Sequence, residues 1–288
     1  MLTIGINSRA LFNLDKSHRI YKDNGLDAYK DYQIKKERVP LKPGQAFSLV
    51  KKLLFLNKKK EDLVEVILLS RNTADTGLRI FNSIDFHNLS IKRAAFCGGQ
   101  SPHIYAKSFG VDLFISTELY DCELAIKSGI ASARMISNKI IKNRSSILKV
   151  AFDGDSVLFS NESQNIFDKK GLNEFNKNEK KLASIPLSGG PFKNFLKELH
   201  QIQKIFPKNK CPIKTALFTA RCSPSHKRVI KTLRDWKIRI DECLFLGGSE
   251  KKEFLIDFCA DIFFDDQIKN CRSASSDITT GHVISLKH

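Results

Sequence analysis

The 288-residue sequence has one tryptophan, two methionines and no pair among its seven cysteines at CxxC spacing. Those cysteines (Cys97, Cys122, Cys211, Cys222, Cys243, Cys259 and Cys271) are odd in number and mostly lie in apolar segments. That pattern argues against a zinc ribbon or a disulfide framework and fits small buried hydrophobes in a reducing, cytosolic setting. No apolar run approaches the ~20 residues that a membrane-spanning helix needs. Met1-Leu2-Thr3-Ile4-Gly5 shows no basic region followed by a long apolar stretch, so no signal peptide is expected. Negative charge is also scarce: 31 Asp+Glu face 48 Lys+Arg, a net charge of +17. The surplus is spread along the chain, with 25 basic and 14 acidic residues up to Val150. A lysine-rich surplus most simply coats a solvated surface. Its alternative is an anionic partner (nucleotide, nucleic acid or acidic membrane), and composition alone does not choose among them. A hydrophobic fraction of 42% with 27% charged residues is that of a folded globular chain. The length suits one large domain or two compact ones.

Four short apolar runs read as strands: Val64 to Leu69, Lys149 to Phe152, Thr215 to Thr219 and Asp261 to Phe264. Between them lie amphipathic segments. Phe195, Leu196, Leu199, Ile202 and Ile205 fall at helical spacing within Phe192 to Phe206, and Lys227 to Trp236 is similar. Strands alternating with helices predict an α/β fold with a parallel sheet. The lysine runs at 58–60 and 177–181 read as solvated loops or helix faces.

The chain also repeats itself. Ser8-Arg9-Ala10-Leu11-Phe12 resembles Asp155-Ser156-Val157-Leu158-Phe159. Pro40-Leu41 with Gly44 and Phe47 resembles Pro186-Leu187 with Gly189 and Phe192. Leu69-Ser70-Arg71 pairs with Thr219-Ala220-Arg221, Phe96-Cys97-Gly98-Gly99 with Phe245-Leu246-Gly247-Gly248, and Asp112-Leu113-Phe114 with Asp261-Ile262-Phe263. The matches keep one order at a nearly constant offset. They predict two related α/β halves, 1–145 and 146–288, with the junction near 143–148. In that register Asp153 and Asp155 oppose Ile6 and Ser8, Thr219 opposes Leu69, Lys251 opposes Pro102, and Asp265-Asp266 oppose Ser116-Thr117. The ionisable groups therefore concentrate in the second copy.

There, Val150-Ala151-Phe152 delivers Asp153 and Asp155 at the C-terminal end of a strand, the edge where open α/β sheets bind ligands. Two further strands deliver Thr219 and Asp265-Asp266, and Lys251 follows Gly247-Gly248. Clustered carboxylates repel one another unless a cation joins them, and an oxygen-only set favours Mg²⁺. This set suits phosphoryl transfer through an aspartyl-phosphate. One carboxylate attacks phosphorus, a second exchanges the proton, and lysine, hydroxyl and cation neutralise the phosphoryl oxygens.

The order of these groups resembles the haloacid dehalogenase-like phosphatases. Phe152-Asp153-Gly154-Asp155-Ser156-Val157-Leu158-Phe159-Ser160 resembles the first motif of the cytosolic 5′-nucleotidase I family. Ser70-Arg71-Asn72, Thr76 to Ile84, Lys92 to Phe96 with Gly98 to Pro102, Thr219-Ala220-Arg221 and Phe263 to Gln267 resemble that family too. The likeness runs from about Ile4 to Ile268. It implies a Rossmann-like haloacid dehalogenase fold with a small cap at about 162–184, and Mg²⁺-dependent hydrolysis of AMP-like nucleoside 5′-monophosphates. It implies Asp153 as nucleophile and metal ligand, and Asp155 as acid/base with its carbonyl on the metal. Thr219 and Lys251 would hold the phosphoryl group, and Asp265 and Asp266 would complete the metal site. The family usually continues Asp-Glu-Ser-Glu after the first motif, where this chain has Asn161-Glu162-Ser163-Gln164. Lys252 beside Lys251 leaves the phosphate-binding lysine ambiguous by one position, and the family register favours Lys251.

Phe167, Phe175 and Lys180 are candidate cap contacts, the two phenylalanines more simply holding the cap together. In the first half Arg71, Asn72, Thr76, Arg79, Gly98, Gly99, Gln100 and Ser101 read either as contacts to substrate or to an effector nucleotide, or as a structural network. The Gly98-Gly99 loop could offer backbone N–H groups to an anion. Arg221 reads as a substrate contact or a salt-bridge partner. His87, His103 and His226 are isolated. Other readings are a phosphatase of another small phosphoester and a nucleotide-binding sensor. No specific nucleic-acid motif and no membrane partner is expected, and a homo-oligomer is compatible with the sequence.

Overall fold

The computed structural model describes residues 1–136 and 145–285. The chain divides into two compact units, Met1–Lys142 and Asn143–His288. The expected junction near 143–148 falls partly on 137–144, outside the described residues.

In the first unit the strands are β1 (Leu2–Ile6), β2 (Val64–Ser70), β3 (Arg93–Phe96), β4 (Leu113–Ser116) and β5 (Ala131–Met135). They pair in parallel in the order β3-β2-β1-β4-β5. The helices are α1 (Ser8–Leu11), α2 (Asp15–Lys35), α3 (Phe47–Phe55), α4 (Ala74–Phe86), α5 (His103–Ser108) and α6 (Leu119–Lys127). The second unit has β6 (Leu148–Phe152), β7 (Ile213–Thr219), β8 (Glu242–Phe245), β9 (Ile262–Asp265) and β10 (Thr280–Val283). These are again parallel, in the order β8-β7-β6-β9-β10. Its helices are α7 (Glu162–Lys181), α8 (Lys193–Ile205), α9 (His226–Asp235), α10 (Lys252–Phe258) and α11 (Ile268–Ala274). Each unit places its first strand at the centre, where the winding reverses. That reversal opens a crevice at the C-terminal ends of the central strands.

The sequence explains which strands are legible. β2 and β7 are buried along nearly their whole length because helices cover both faces, so both read as continuous apolar runs. The edge strands β3 and β8 have four residues each, all exposed or half-buried, and carry little pattern. In the second unit Phe152, Phe192, Phe195 and Phe264 stack against one another with ring centroids 4.8–6.5 Å apart. This cluster seats the C-terminal end of β6 on α8. The polar segment expected to form a cap is helix α7, broken at Gly171, whose φ is +76°. The first unit carries the same device, unforeseen from its sequence: α2 breaks at Gly25, φ +83°.

The hydrogen bonds repeat between the units in a register that corrects the one read from sequence. Asn7 N–H donates to the Ile115 carbonyl as Asp153 N–H donates to that of Phe264, so Asn7, not Ile6, stands at the position of Asp153. Asn72 N–H donates to Ser70 Oγ as Arg221 N–H donates to Thr219 Oγ1, so Ser70, not Leu69, matches Thr219. Gly44 N–H bonds to the Leu11 carbonyl as Gly190 N–H bonds to that of Leu158, so Gly190 replaces Gly189 as the match of Gly44. At Asp153 the slip arises because the second unit inserts one residue between this position and Leu158, which matches Leu11. There a wide turn, Gly154–Leu158, closes from Phe159 N–H to the Gly154 carbonyl, and Ser156 lies at φ +63°.

Gly190 lies where the chain crosses this turn. A Cβ on it would stand 2.3 Å from the Phe159 carbonyl oxygen and 2.5 Å from that of Val157. Both obstacles are backbone and cannot rotate away. Gly190→Ala is therefore expected to lower the unfolding free energy by about 1–3 kcal/mol, read as a lower urea midpoint. An unchanged midpoint would contradict this packing.

Candidate functional site

The central strand β6 ends at Phe152, and the next residue, Asp153, is 6% exposed at the C-terminal edge of the sheet. Lys251, at the start of α10 and 8% exposed, reaches back to it. Its Nζ donates to Asp153 Oδ1 at 2.6 Å and to Asp265 Oδ2 at 2.7 Å. Asp265 ends β9 and is fully buried, and it also accepts from the Gln267 N–H and the Asn270 side-chain amide. Asp153, Asp265 and Asp266 bring one carboxylate oxygen each within 4.8 Å of one another. Lys252 instead faces outward and pairs with Asp277, so the lysine facing the aspartates is Lys251. Thr219, at the end of β7 and 1% exposed, sets its hydroxyl against Gly154.

Asp153 and Asp265 share one ammonium and Asp266 stands beside them, which leaves negative charge uncompensated in a buried place. Burial pushes the Asp153 carboxyl up, Asp265 and Asp266 push it further, and Lys251 opposes them. Asp266 is pushed up to about 7, by burial first and Asp265 second. Burial alone would lower the Lys251 ammonium, but Asp153 and Asp265 overcome this and raise it. A compact oxygen-only donor set with surplus negative charge fits a hard divalent cation such as Mg²⁺.

Asp155 is oriented separately. Arg221, buried at 3%, donates from Nε and Nη2 to its two carboxylate oxygens at 2.8 and 2.6 Å. The same guanidinium donates from Nη1 to Glu179 Oε2 at 2.5 Å and lies over the Phe175 ring. Glu179, fully buried on α7, also accepts from Ser163 Oγ and from Arg228 Nη1, both at 2.9 Å. Burial alone would raise its carboxyl, but Arg221, Ser163 and Arg228 hold it below its ordinary value. The cap helix is thereby clamped to the turn that carries Asp155. Glu179 and Arg228 are the residues that sequence reasoning missed. Glu179 sits inside a lysine run read as solvated, and its only local signal is the i−4 phenylalanine, Phe175. Phe167 meets Phe175 edge-on, so the pair holds α7 together, while Lys180 is exposed. Glu162 bonds to Arg228 and Ser163 to Glu179, whereas Gln164 bonds to exposed Asp168.

The remaining candidates lie in the first unit. Arg71 forks onto the buried Asp121 at 2.5 and 3.1 Å and donates to the Gly99 carbonyl. Asn72 accepts from the Tyr29 hydroxyl at 3.2 Å. Thr76 closes a capping box with Thr73 at the start of α4. Arg79 is buried against Gln33, the Val39 carbonyl and the Tyr32 ring. Gly98 and Gly99 hold φ of +55° and +92°. Their N–H groups do not form the open anion cradle expected from sequence: they donate to the Asn72 and Arg71 carbonyls. Gln100 is exposed, and Ser101 pairs with His103.

Among known proteins, a family model described as 5′-nucleotidase matches residues 1–288. Cytosolic 5′-nucleotidase 1B of Homo sapiens is 40% identical over 286 residues, which cover 95% of this chain and 47% of that protein. The chain therefore spans about half the length of the curated relative it matches. No solved structure matches it.

Two outcomes follow from the electrostatics. Glu179→Ala leaves Arg221 and Arg228 buried with a lost counter-charge and is expected to cost about 3–5 kcal/mol of stability, measured by urea unfolding. The raised Asp266 carboxyl keeps in the fold a proton that the unfolded chain releases near its ordinary value of 3.8. Its stabilising contribution is complete below that value and is lost as pH rises toward about 7. In EDTA, the stability of the unaltered protein relative to Asp266→Asn should fall between about pH 4 and 7. A flat difference would contradict the assignment.

Proposed function

The chain belongs to the 5′-nucleotidase family, and from that premise we propose that it hydrolyses AMP-like nucleoside 5′-monophosphates to nucleoside and phosphate. The observation that carries this is the buried Asp153–Lys251–Asp265 contact at the C-terminal edge of the central strand. The parallel strand order and the helix clamped over that edge support a haloacid dehalogenase-like reading of the fold. Asp153, Asp265 and Asp266, with the Asp155 carbonyl, would hold Mg²⁺. The bound cation would neutralise phosphoryl charge and draw phosphorus toward attack.

The chain's own residues account for the rest. Asp153 attacks phosphorus, and the bond from phosphorus to the ester oxygen breaks as Asp155 protonates the departing nucleoside oxygen. Water then attacks the aspartyl-phosphate, Asp155 takes its proton, and phosphate leaves with the Asp153 carboxylate restored. Lys251 and the Thr219 hydroxyl bind phosphoryl oxygens where charge develops. Arg221 fixes the direction of the Asp155 carboxylate, and Glu179 shares the guanidinium so that it is not committed to Asp155 alone. Helix α7 limits water at the edge and presents the surface that meets the leaving nucleoside. The cytosol is the compartment we assign. The relative's name and seven free cysteines support it, and no described helix is long and apolar enough to cross a membrane.

Phosphate release from a panel of monophosphates tests the reading. AMP or another nucleoside 5′-monophosphate should be preferred over sugar phosphates, and EDTA should abolish turnover. Asp153→Asn should lower kcat by at least about 10³-fold. A preference for sugar phosphates, or undiminished turnover in Asp153→Asn, would overturn it.

A further inference from the structure

The first unit holds a cavity of about 560 Å³ at the edge of its own sheet, the position that the aspartates occupy in the second unit. The corrected repeat shows what replaced them. Asn7 stands where Asp153 does, and Arg9 lies two residues on, as Asp155 does. Pro102 stands for Lys251 at the start of a helix, and Ser116 and Thr117 stand for Asp265 and Asp266 after a strand. No carboxylate stands at the position of Asp153, and the two that line the cavity, Glu118 and Asp121, are paired with Arg9 and Arg71. Among the described residues, the group of three or more acidic, cysteine or histidine side chains able to hold a metal is the one in the second unit. Chemistry of the second unit's kind has no agent here.

The space has nevertheless not been filled. Its volume falls within the usual range of small-molecule sites, ~300–1,000 Å³. Its walls combine the aromatic rings of Tyr21, Tyr29 and Tyr120 with the cations of Arg9, Lys30 and Arg71. Tyr21 and Tyr120 are 48% and 60% exposed, and Tyr21 meets the Tyr29 ring edge-on. Glu118 and Asp121 hold Arg9 and Arg71 in fixed directions, while Lys30 contacts the exposed Asp27 at 3.8 Å. Asn72, also in the wall, leaves its buried Nδ2 donor without a partner among the described residues. At the matching position of the second unit, Arg221 is saturated by two carboxylates. Aromatic faces recognise a flat base, and oriented guanidinium and ammonium groups recognise a phosphate.

We propose that this cavity binds a nucleoside phosphate and holds it without hydrolysis, as a second ligand site on the chain. Only the ligand class leans on the nucleotidase reading. The site's existence rests on the cavity, its walls and the loss of reacting groups.

Equilibrium dialysis of labelled AMP against the full-length Asp153→Asn protein counts the sites while suppressing turnover. Two equivalents per chain are expected. Adding Arg9→Gln and Lys30→Gln, both partly exposed, should weaken one of them about tenfold or more and leave the other unchanged. Thermal unfolding verifies that the fold is kept. Adenosine and ribose 5-phosphate, each lacking one half of the ligand, should bind this site more weakly than AMP. One equivalent that Arg9→Gln/Lys30→Gln removes supports the site and counts against the nucleotidase reading. One equivalent that they leave untouched, no binding at all, or adenosine binding as tightly as AMP would overturn the proposal.

Discussion

The second unit is organised around one buried ammonium. Lys251 lies within hydrogen-bonding distance of Asp153 and Asp265, and Asp266 stands beside them. Carboxylates withdrawn from water must be paired, neutralised by protons or joined by a metal. One lysine offsets only part of the charge, which is why burial and mutual repulsion push Asp153 and Asp266 up. A site built this way is poised to gain stability when a divalent cation or a phosphoryl group completes it. The central strand, the Phe152 cluster and the Gly190 crossing all serve to hold Asp153 at that point.

A second charge system stands apart from the first. Arg221 lies between Asp155 and Glu179, and Arg228 lies between Glu179 and Glu162. These buried ions link the residue assigned to proton transfer with the helix that covers it. The first unit has the same frame with a neutral acceptor: Gln33 receives Arg79 and Ser17 as Glu179 receives Arg228 and Ser163. One scaffold thus places a carboxylate at this point in the second unit and an amide in the first.

The sequence made the candidate site residues legible because they sit at the ends of strongly apolar strands. β6, β7 and β9 announce themselves by burial, so Asp153, Thr219 and Asp265 could be placed before any geometry was known. Lys251 followed from the order of motifs, and its separation from Lys252 needed the helix start. Edge strands such as β3 and β8 were invisible because four half-exposed residues carry no period. The repeat was legible but slipped by one residue at three places, and the insertion in the 154–158 turn accounts for the slip at Asp153. Glu179 was hidden by its neighbours: lysines flank it, and only tertiary contacts show that it faces inward. The Gly98-Gly99 loop misled for the opposite reason, because its N–H groups are consumed by nearby carbonyls.

The account stands on Asp153 as the group that becomes phosphorylated. Acid quenching during AMP turnover, borohydride reduction of any acyl phosphate and peptide mass spectrometry would read this directly. The account predicts reduction of residue 153 to homoserine, dependent on substrate and Mg²⁺. Active enzyme that carries the reduced residue at another position, or that shows a phosphate burst with residue 153 unreduced, would contradict it.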